Sequence, residues 1–345
     1  MIAFCVNASP QVGMGHLVRC RVFAEELAAQ GIASLMYGPS LSYRIAGDED
    51  RFAGWQERPA WTTPEADARA FVAFAAAHGV TKAVIDDYRA DAAFQAVLKE
   101  GSLDWLQQFD ASLEQRFLGR LVVNASPYER PEYYRAVSSH PDVRFLLGPR
   151  YAILRREFAA VVPRDPESMT GRVFLSFGGG DDKGAALGVL SAMRGVVPAG
   201  TGFVLVSGGA NPRNAEIARH IAAEAWDDVD FLVNPPNIPA LMSSSDVAVL
   251  GGGTTTYEAA HCGLPMLLVA IAENQVRQAV GWEDLEAAIY LGRWGEIEPE
   301  TIAAAYLSLT CDPSRSAKMS RRGAELVDCD GTARLIAMLL KGTEA

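Results

Sequence analysis

Two glycine-rich turns, one in each half of the chain, restrict the fold more than any other feature. Gly13-Met14-Gly15-His16 follows an apolar run over 2–6, and Gly251-Gly252-Gly253-Thr254-Thr255-Thr256 follows another over 247–250. A short continuous apolar run reads as a strand buried on both faces. A Gly-rich turn from such a strand into helical spacing gathers backbone N–H groups and the positive helix end at one point. Two such cradles can face each other across a cleft. The expected class is α/β, with a doubly wound parallel sheet in each half.

At 345 residues the chain is long enough for two cores, because single cores stop growing at about 250–300 residues. In the first half, 2–6 reads as a strand, 17–30 as its helix with Leu17, Cys20, Ala24, Leu27 and Ala28 on one stripe, and 82–85, 121–124 and 145–147 as later strands. The stretch 159–171 is rich in Pro and charge, lacks an apolar period, and reads as a linker. The expected division is therefore a first domain over 1–158, a second over 172–330, and a terminal helix over 331–345 placed to pack back on the first. Strands of the second domain are expected at 173–177, 203–206, 231–233, 247–250 and 266–270.

A formal charge of −11 argues against nucleic acid or an anionic membrane as partner, since affinity for phosphate polymers comes from clustered Lys and Arg. Five scattered cysteines without a CxxC pair suggest reduced thiols in a cytoplasmic protein, with neither disulfides nor zinc. The longest apolar stretch, 265–272, falls far below the ~20 residues of a spanning helix. Asp48-Glu49-Asp50 and Asp328-Cys329-Asp330 have a spacing that can hold a divalent cation, but neither follows an apolar strand and both read as exposed loop charge. No metal and no cofactor is expected.

The chemistry-bearing residues cluster at strand ends. Gly13 and Gly15 let the backbone turn sharply and approach a ligand, and His16 falls at the first turn of the next helix, where a neutral imidazole can act as a base; the plainer reading is a histidine that caps its helix. Asp86-Asp87-Tyr88 ends another strand of the same half, and either carboxylate is placed to orient His16 or to serve as the base. In the second half, Gly178 and Gly179 can line the cleft with bare backbone, while Asp181 or Asp182 reads as a helix cap. The turn Gly252-Gly253-Thr254-Thr255 offers N–H and hydroxyl donors suited to a diphosphate, with Glu258 at ribose distance. Glu273, Asn274 and Gln275 open a further helix and are placed to grip sugar hydroxyls or phosphate. These features together fit a nucleotide-sugar.

Read in order, Gly13 to Cys20, Leu147 to Phe158, Ser176-Phe177-Gly178-Gly179, Gly252 to Glu258, and Gly263-Leu264-Pro265 leading to Ala272-Glu273-Asn274-Gln275 resemble the signature of the PseG-like UDP-2,4-diacetamido-2,4,6-trideoxy-β-L-altropyranose hydrolases of pseudaminic acid synthesis. The resemblance implies a GT-B-like fold of two facing Rossmann-like domains, similar to MurG, with UDP held chiefly by the second domain and water as acceptor. It implies that His16 activates the water, that Gly253 to Thr255 hold the diphosphate, that Glu258 lies at the ribose, and that Glu273, Asn274 and Gln275 lie near phosphate and sugar. Asp87 stands where the family has histidine, and 121–127 departs from the family pattern, so the sugar is less constrained than the nucleotide.

The expectation is a monomeric, metal-independent UDP-sugar hydrolase that works with inversion, with His16, Asp87 and Tyr88 as the catalytic set. A glycosyltransferase of the same fold and a non-catalytic nucleotide-sugar binder are the rival readings.

Overall fold

A computed structural model describes all residues except 10, 11, 13, 109–115, 138–141, 167 and 342–345. The chain divides into two compact units, one of Met1–Arg155 with the segment from Asp330, the other of Arg156–Cys329.

Unit 1 carries seven strands, β1 (Ile2–Val6), β2 (Ser34–Gly38), β3 (Gly54–Glu57), β4 (Lys82–Asp86), β5 (Asp104–Gln108), β6 (Leu121–Asn124) and β7 (Arg144–Leu147). They form one sheet in the order β3-β2-β1-β4-β5-β6-β7, every pair parallel. Strand order reverses between β1 and β4, the place where open α/β sheets bind ligands beyond the carboxyl ends of their strands. The helices are α1 (Gly15–Ala29), α2 (Asp48–Arg51), α3 (Pro64–Ala77), α4 (Ala92–Glu100) and α5 (Pro131–Val137).

Strand alternation sorts β1 and β4 between two cores. Ile2, Phe4, Val6 and Val84 pack with Leu17, Phe23 and Leu27 of α1, whereas Ala3, Cys5 and Ile85 pack with Phe71 of α3 and Phe94 of α4. The α1 stripe holds at Leu17, Cys20, Ala24 and Leu27, but Ala28 is exposed: one residue beyond Leu27, it has rotated off the core-facing side.

Unit 2 repeats the plan with β8 (Arg172–Ser176), β9 (Gly202–Ser207), β10 (Val229–Val233), β11 (Val247–Leu250), β12 (Met266–Ala270) and β13 (Ala288–Arg293), all parallel in the order β10-β9-β8-β11-β12-β13. Its helices are α6 (Ala185–Arg194), α7 (Asn214–Ala223), α8 (Ile238–Ser243), α9 (Thr255–His261), α10 (Glu273–Asp284), α11 (Glu300–Thr310) and α12 (Pro313–Leu326).

The segment 159–171, expected as a linker, is pinned to unit 2. The Arg164 backbone N–H donates to the Cys262 carbonyl at 3.0 Å. Its guanidinium, together with the N–H groups of Thr170 and Gly171, converges on the buried Asp246 carboxylate. The last helix, α13 (Gly331–Leu340), belongs to unit 1, where Leu335, Ile336 and Leu339 enter the core with Ile2, Phe4 and Leu17. Arg120 donates to the Met338 and Leu339 carbonyls and satisfies the C-terminal end of that helix.

Candidate functional site

In unit 1 the site grows from the ends of β1 and β4, where Val6 is the register partner of Asp86. Gly15 opens α1, and a side chain there would meet open space; Gly13 lies outside the described residues. His16, in the first turn, is 5% exposed. Its Nδ1 lies 2.6 Å from Oδ1 of Asp86, and the Tyr88 ring meets the imidazole edge-on at 4.6 Å between centroids.

Asp86 is fully buried and heavily bonded. Arg19 donates to it through Nε and Nη2, both at 2.5 Å, and the Cys20 thiol lies 3.6 Å away. Burial pushes this carboxyl up, but the Arg19 charge and the hydrogen bonds from Arg19 and His16 outweigh it and bring the pKa down to about 2. An ionised carboxylate can only accept, so Nδ1 of His16 carries a proton and donates to it. Nε2 has no hydrogen-bond partner among the described residues. The Asp86 contact therefore fixes the orientation of the ring. Burial also drives the Cys20 thiol well above its ordinary value, reinforced by the Asp86 charge, so it stays neutral.

Asp87 is not the partner of His16. One residue further along the chain it turns to the opposite side, where Arg58 and Arg89 each donate to it at 2.8 Å and the Arg89 backbone N–H at 3.0 Å. Burial raises its pKa, and the bonds from Arg89 with the Arg58 charge hold it below the usual range. Both oxygens are occupied, so Asp87 anchors two arginines, and the carboxylate that contacts His16 is Asp86. Arg89 in turn stacks on Trp61, 3.9 Å from the ring centroid. Asp48, expected as exposed loop charge, is fully buried against Arg21, which grips it with two hydrogen bonds of 2.9 and 2.8 Å.

Unit 2 builds its turn from main chain. The Gly251 N–H donates to the Ser176 carbonyl at 3.0 Å, tying the end of β11 to β8. Gln275, from the first turn of α10, accepts from the N–H groups of Gly252 at 3.2 Å and Ile271 at 3.0 Å through one oxygen. Expected to grip ligand, Gln275 instead braces two neighbouring turns with that oxygen, because β11 and β12 are adjacent. A Cβ on Gly252 would fall 2.5 Å from the Gln275 carbonyl oxygen, so only glycine fits there.

Behind this turn, the buried Thr256 hydroxyl donates to the Gly253 carbonyl at 2.7 Å and accepts from Gln278 at 2.8 Å and Trp282 at 2.9 Å. The Thr256 hydroxyl is thus structural. The open face is left to the N–H groups of Gly253, Thr254 and Thr255, which have no acceptor among the described residues, and to the hydroxyls of exposed Thr254 and half-buried Thr255.

The flanking turns complete the rim. After β8, side chains on Gly178, Gly179 and Gly180 would meet nothing, and Gly178 has φ +95°, which glycine alone adopts at little cost. Asp181 and Asp182, expected to cap α6, hold the loop before it by accepting from the N–H groups of Lys183 and Gly184; Gly184 itself is the cap. The Lys183 ammonium donates to the Ile271 carbonyl at 2.7 Å. Glu258 is half-buried in the first turn of α9, and Glu273 and Asn274 are exposed at the start of α10, with Glu273 3.1 Å from Arg293.

The bracing residues Gln278 and Trp282 and the cation Lys183 were not singled out from sequence. Gln275, Gln278 and Trp282 recur at i, i+3 and i+7 on α10, one helix face, and that spacing is the available signal. Among the described residues, no group of His, Cys, Asp or Glu is arranged to hold a metal ion, and no helix is long and apolar enough to cross a membrane.

No protein-family model matches the chain. A spore coat polysaccharide biosynthesis protein, SpsG of Bacillus subtilis (strain 168), is 28% identical over 204 residues, a match spanning 57% of this chain and 58% of that protein. Among solved structures, MurG of Acinetobacter baumannii aligns with TM-score 0.71 at 12% identity over 99% of both chains. The HepE protein of Anabaena, solved with UDP and glucose, aligns with TM-score 0.61 at 13% identity over 98% of both chains. A spinosyn rhamnosyltransferase, SpnG, solved with thymidine diphosphate, aligns with TM-score 0.64 at 12% identity over 98% of this chain and 99% of that one. The α/β, GT-B-like fold class expected from the sequence is what the two parallel sheets and these relatives show.

Proposed function

We propose that the protein is a metal-independent UDP-sugar hydrolase. Unit 2 holds the diphosphate with the N–H groups of Gly253, Thr254 and Thr255 and the two threonine hydroxyls, beside the bare backbone of Gly178 and Gly179, with Glu258 at the ribose and Glu273 and Asn274 at the phosphate and sugar side. Unit 1 supplies the base. His16 Nε2 takes a proton from water, the water oxygen bonds to the anomeric carbon, and the bond from that carbon to the diphosphate oxygen breaks, its electron pair leaving with UDP. Attack from the face opposite UDP inverts the configuration. Donors fixed where charge grows on the leaving group supply the electrostatic part of catalysis, and the positioned base contributes about 10²- to 10⁴-fold.

The observation that carries this reading is the pair His16–Asp86, with Nδ1 fixed at 2.6 Å and Nε2 without a hydrogen-bond partner among the described residues. The nucleotide is supported by the relatives solved with UDP or thymidine diphosphate. The sugar, a diacetamido-trideoxy hexose bound for nonulosonic acid synthesis, rests on the PseG-like resemblance, and a role in surface polysaccharide synthesis is supported by the SpsG relative.

The test is incubation with a panel of UDP-diacetamido sugars without acceptor, in the presence of EDTA, with UDP and free sugar quantified by chromatography and mass spectrometry. Stoichiometric UDP and inverted free sugar are expected. A second reading, transfer to an acceptor, is favoured by relatives named as glycosyltransferases; UDP release only after an acceptor is added would establish it. UDP binding without turnover of any substrate would leave a binding protein.

A further inference from the structure

We propose that Arg19 is a positioning residue that keeps the His16 imidazole in its singly protonated form by neutralising Asp86. A buried carboxylate beside an imidazole has two effects. It fixes the ring and the proton on Nδ1, and its charge stabilises a second proton on Nε2, which would abolish the base. The structure separates these effects. Asp86 keeps the orienting contact to Nδ1 at 2.6 Å, while both of its oxygens accept from Arg19, through Nε on Oδ2 and Nη2 on Oδ1. Arg19 Nη2 also lies 3.1 Å from His16 Nδ1. Both groups are donors there, so the contact is no hydrogen bond but a positive charge held against the ring.

The arrangement follows from local sequence. His16 and Arg19 are three residues apart on α1 and share a face, and that face meets the end of β4 through the packing of Leu17 and Cys20 against Val84. Among the described residues, the groups around the ring include Arg19 and the neutral Cys20 thiol from α1, and Asp86 and the Tyr88 ring from the end of β4. Arg58, Asp67, Asp87 and Arg89 form a separate network on the other face of the sheet. Among the described residues, Arg19 is thus the cation bonded to Asp86 on the His16 side.

The inference rests on the hydrolase reading for its kinetic half only. The test compares Arg19→Gln and Arg19→Lys with the unsubstituted protein by nitrogen-15 NMR of the imidazoles, with His16 assigned through His16→Asn, across a pH series and without substrate. In Arg19→Gln the ring should gain its second proton at a pH higher by about one unit, and Arg19→Lys, which keeps the charge but not the fork, should fall between the two. The acid limb of kcat/KM for UDP-sugar hydrolysis should move the same way, with a larger loss on the acid side than on the alkaline side. An unmoved or lowered NMR midpoint in Arg19→Gln overturns the proposal. Should that variant not fold, an unmoved or lowered midpoint in Arg19→Met, which also removes the charge, does so. A midpoint that moves in a protein without hydrolytic activity sustains the role of Arg19 and overturns the hydrolase reading.

Discussion

In unit 1 the turn after β1 leads to charged side chains gathered in the protein interior, whereas in unit 2 the turn after β11 presents main chain to solvent and hides its side chains behind it. His16, Asp86 and Arg19 make an ion-paired cluster in which both Asp86 oxygens and the His16 Nδ1 have specified partners. Gly253, Thr254 and Thr255 make a surface of donors whose shape is set by Gln275, Thr256, Gln278 and Trp282. The same local grammar, a buried strand followed by a glycine turn and a helix, thus yields a buried imidazole–carboxylate pair in one place and a surface of main-chain donors in the other. The first should fail through chemistry at single atoms and the second through shape.

The largest effect expected is on turnover. His16→Asn should lower kcat by about 100-fold or more while changing UDP affinity little, measured by steady-state kinetics and calorimetry. A comparable loss of UDP binding would place His16 with the cradle and erase the contrast. Next is the shape of unit 2. Gly252→Val places its Cβ 2.5 Å from a backbone oxygen, an overpacking that costs about 1–3 kcal/mol. It should weaken UDP binding by about tenfold or more with a lowered Tm. Normal UDP affinity would show that the cradle tolerates movement.

Acid titration probes the charged half. The Asp86 pKa lies below its unfolded value of about 3.9, at about 2, so its stabilising contribution is fully present above the unfolded value. As pH falls from about 4 through about 2, roughly 2 kcal/mol should be lost from this group. Chemical denaturation at a series of acidic pH values should show this slope, and Asp86→Asn should flatten it. An equal slope in both proteins would assign acid sensitivity elsewhere.

These contrasts were only partly legible in the sequence. The strands β1, β11 and β12 announce themselves because both faces are covered and their residues are continuously apolar. Two of the four edge strands do not: β3 reads Gly-Trp-Gln-Glu and is half exposed, and β13 is likewise partly exposed, so neither has that signature. The central strand β5 was hidden for another reason, since Gln107 and Gln108 are polar yet buried at its carboxyl end. The choice between Asp86 and Asp87 depends on strand phase, and Asp86 shares its phase with Val84, which faces α1. The spacing contained that answer, whereas the brace from Gln275 to Gly252 did not follow from local pattern. It needs β11 beside β12, which is a property of sheet order.

The brace gives a smaller test. Gln275→Leu leaves the Gly252 and Ile271 N–H groups without their shared acceptor, a partly exposed loss of about 1 kcal/mol. It should raise KM several-fold with kcat nearly unchanged. If kcat fell instead, Gln275 would be acting on the reacting sugar, as its place after β12 first suggested.

The smallest effect isolates why each turn carries glycine. Gly252 is required by its own fold, because the neighbouring turn occupies the space of a side chain; Gly15 is not, because a Cβ there meets nothing. Gly15 is the first residue of α1, where alanine is at least as good a helix former. Gly15→Ala should therefore leave Tm unchanged or slightly raised, in contrast to Gly252→Val. With folding held constant, any rise in KM reports only the methyl group against bound substrate, so the variant measures how closely ligand approaches the first turn of α1. A lowered Tm would mean that the unit 1 turn is shaped by packing as the unit 2 turn is, and the distinction between a turn that presents chemistry and one that presents shape would not hold.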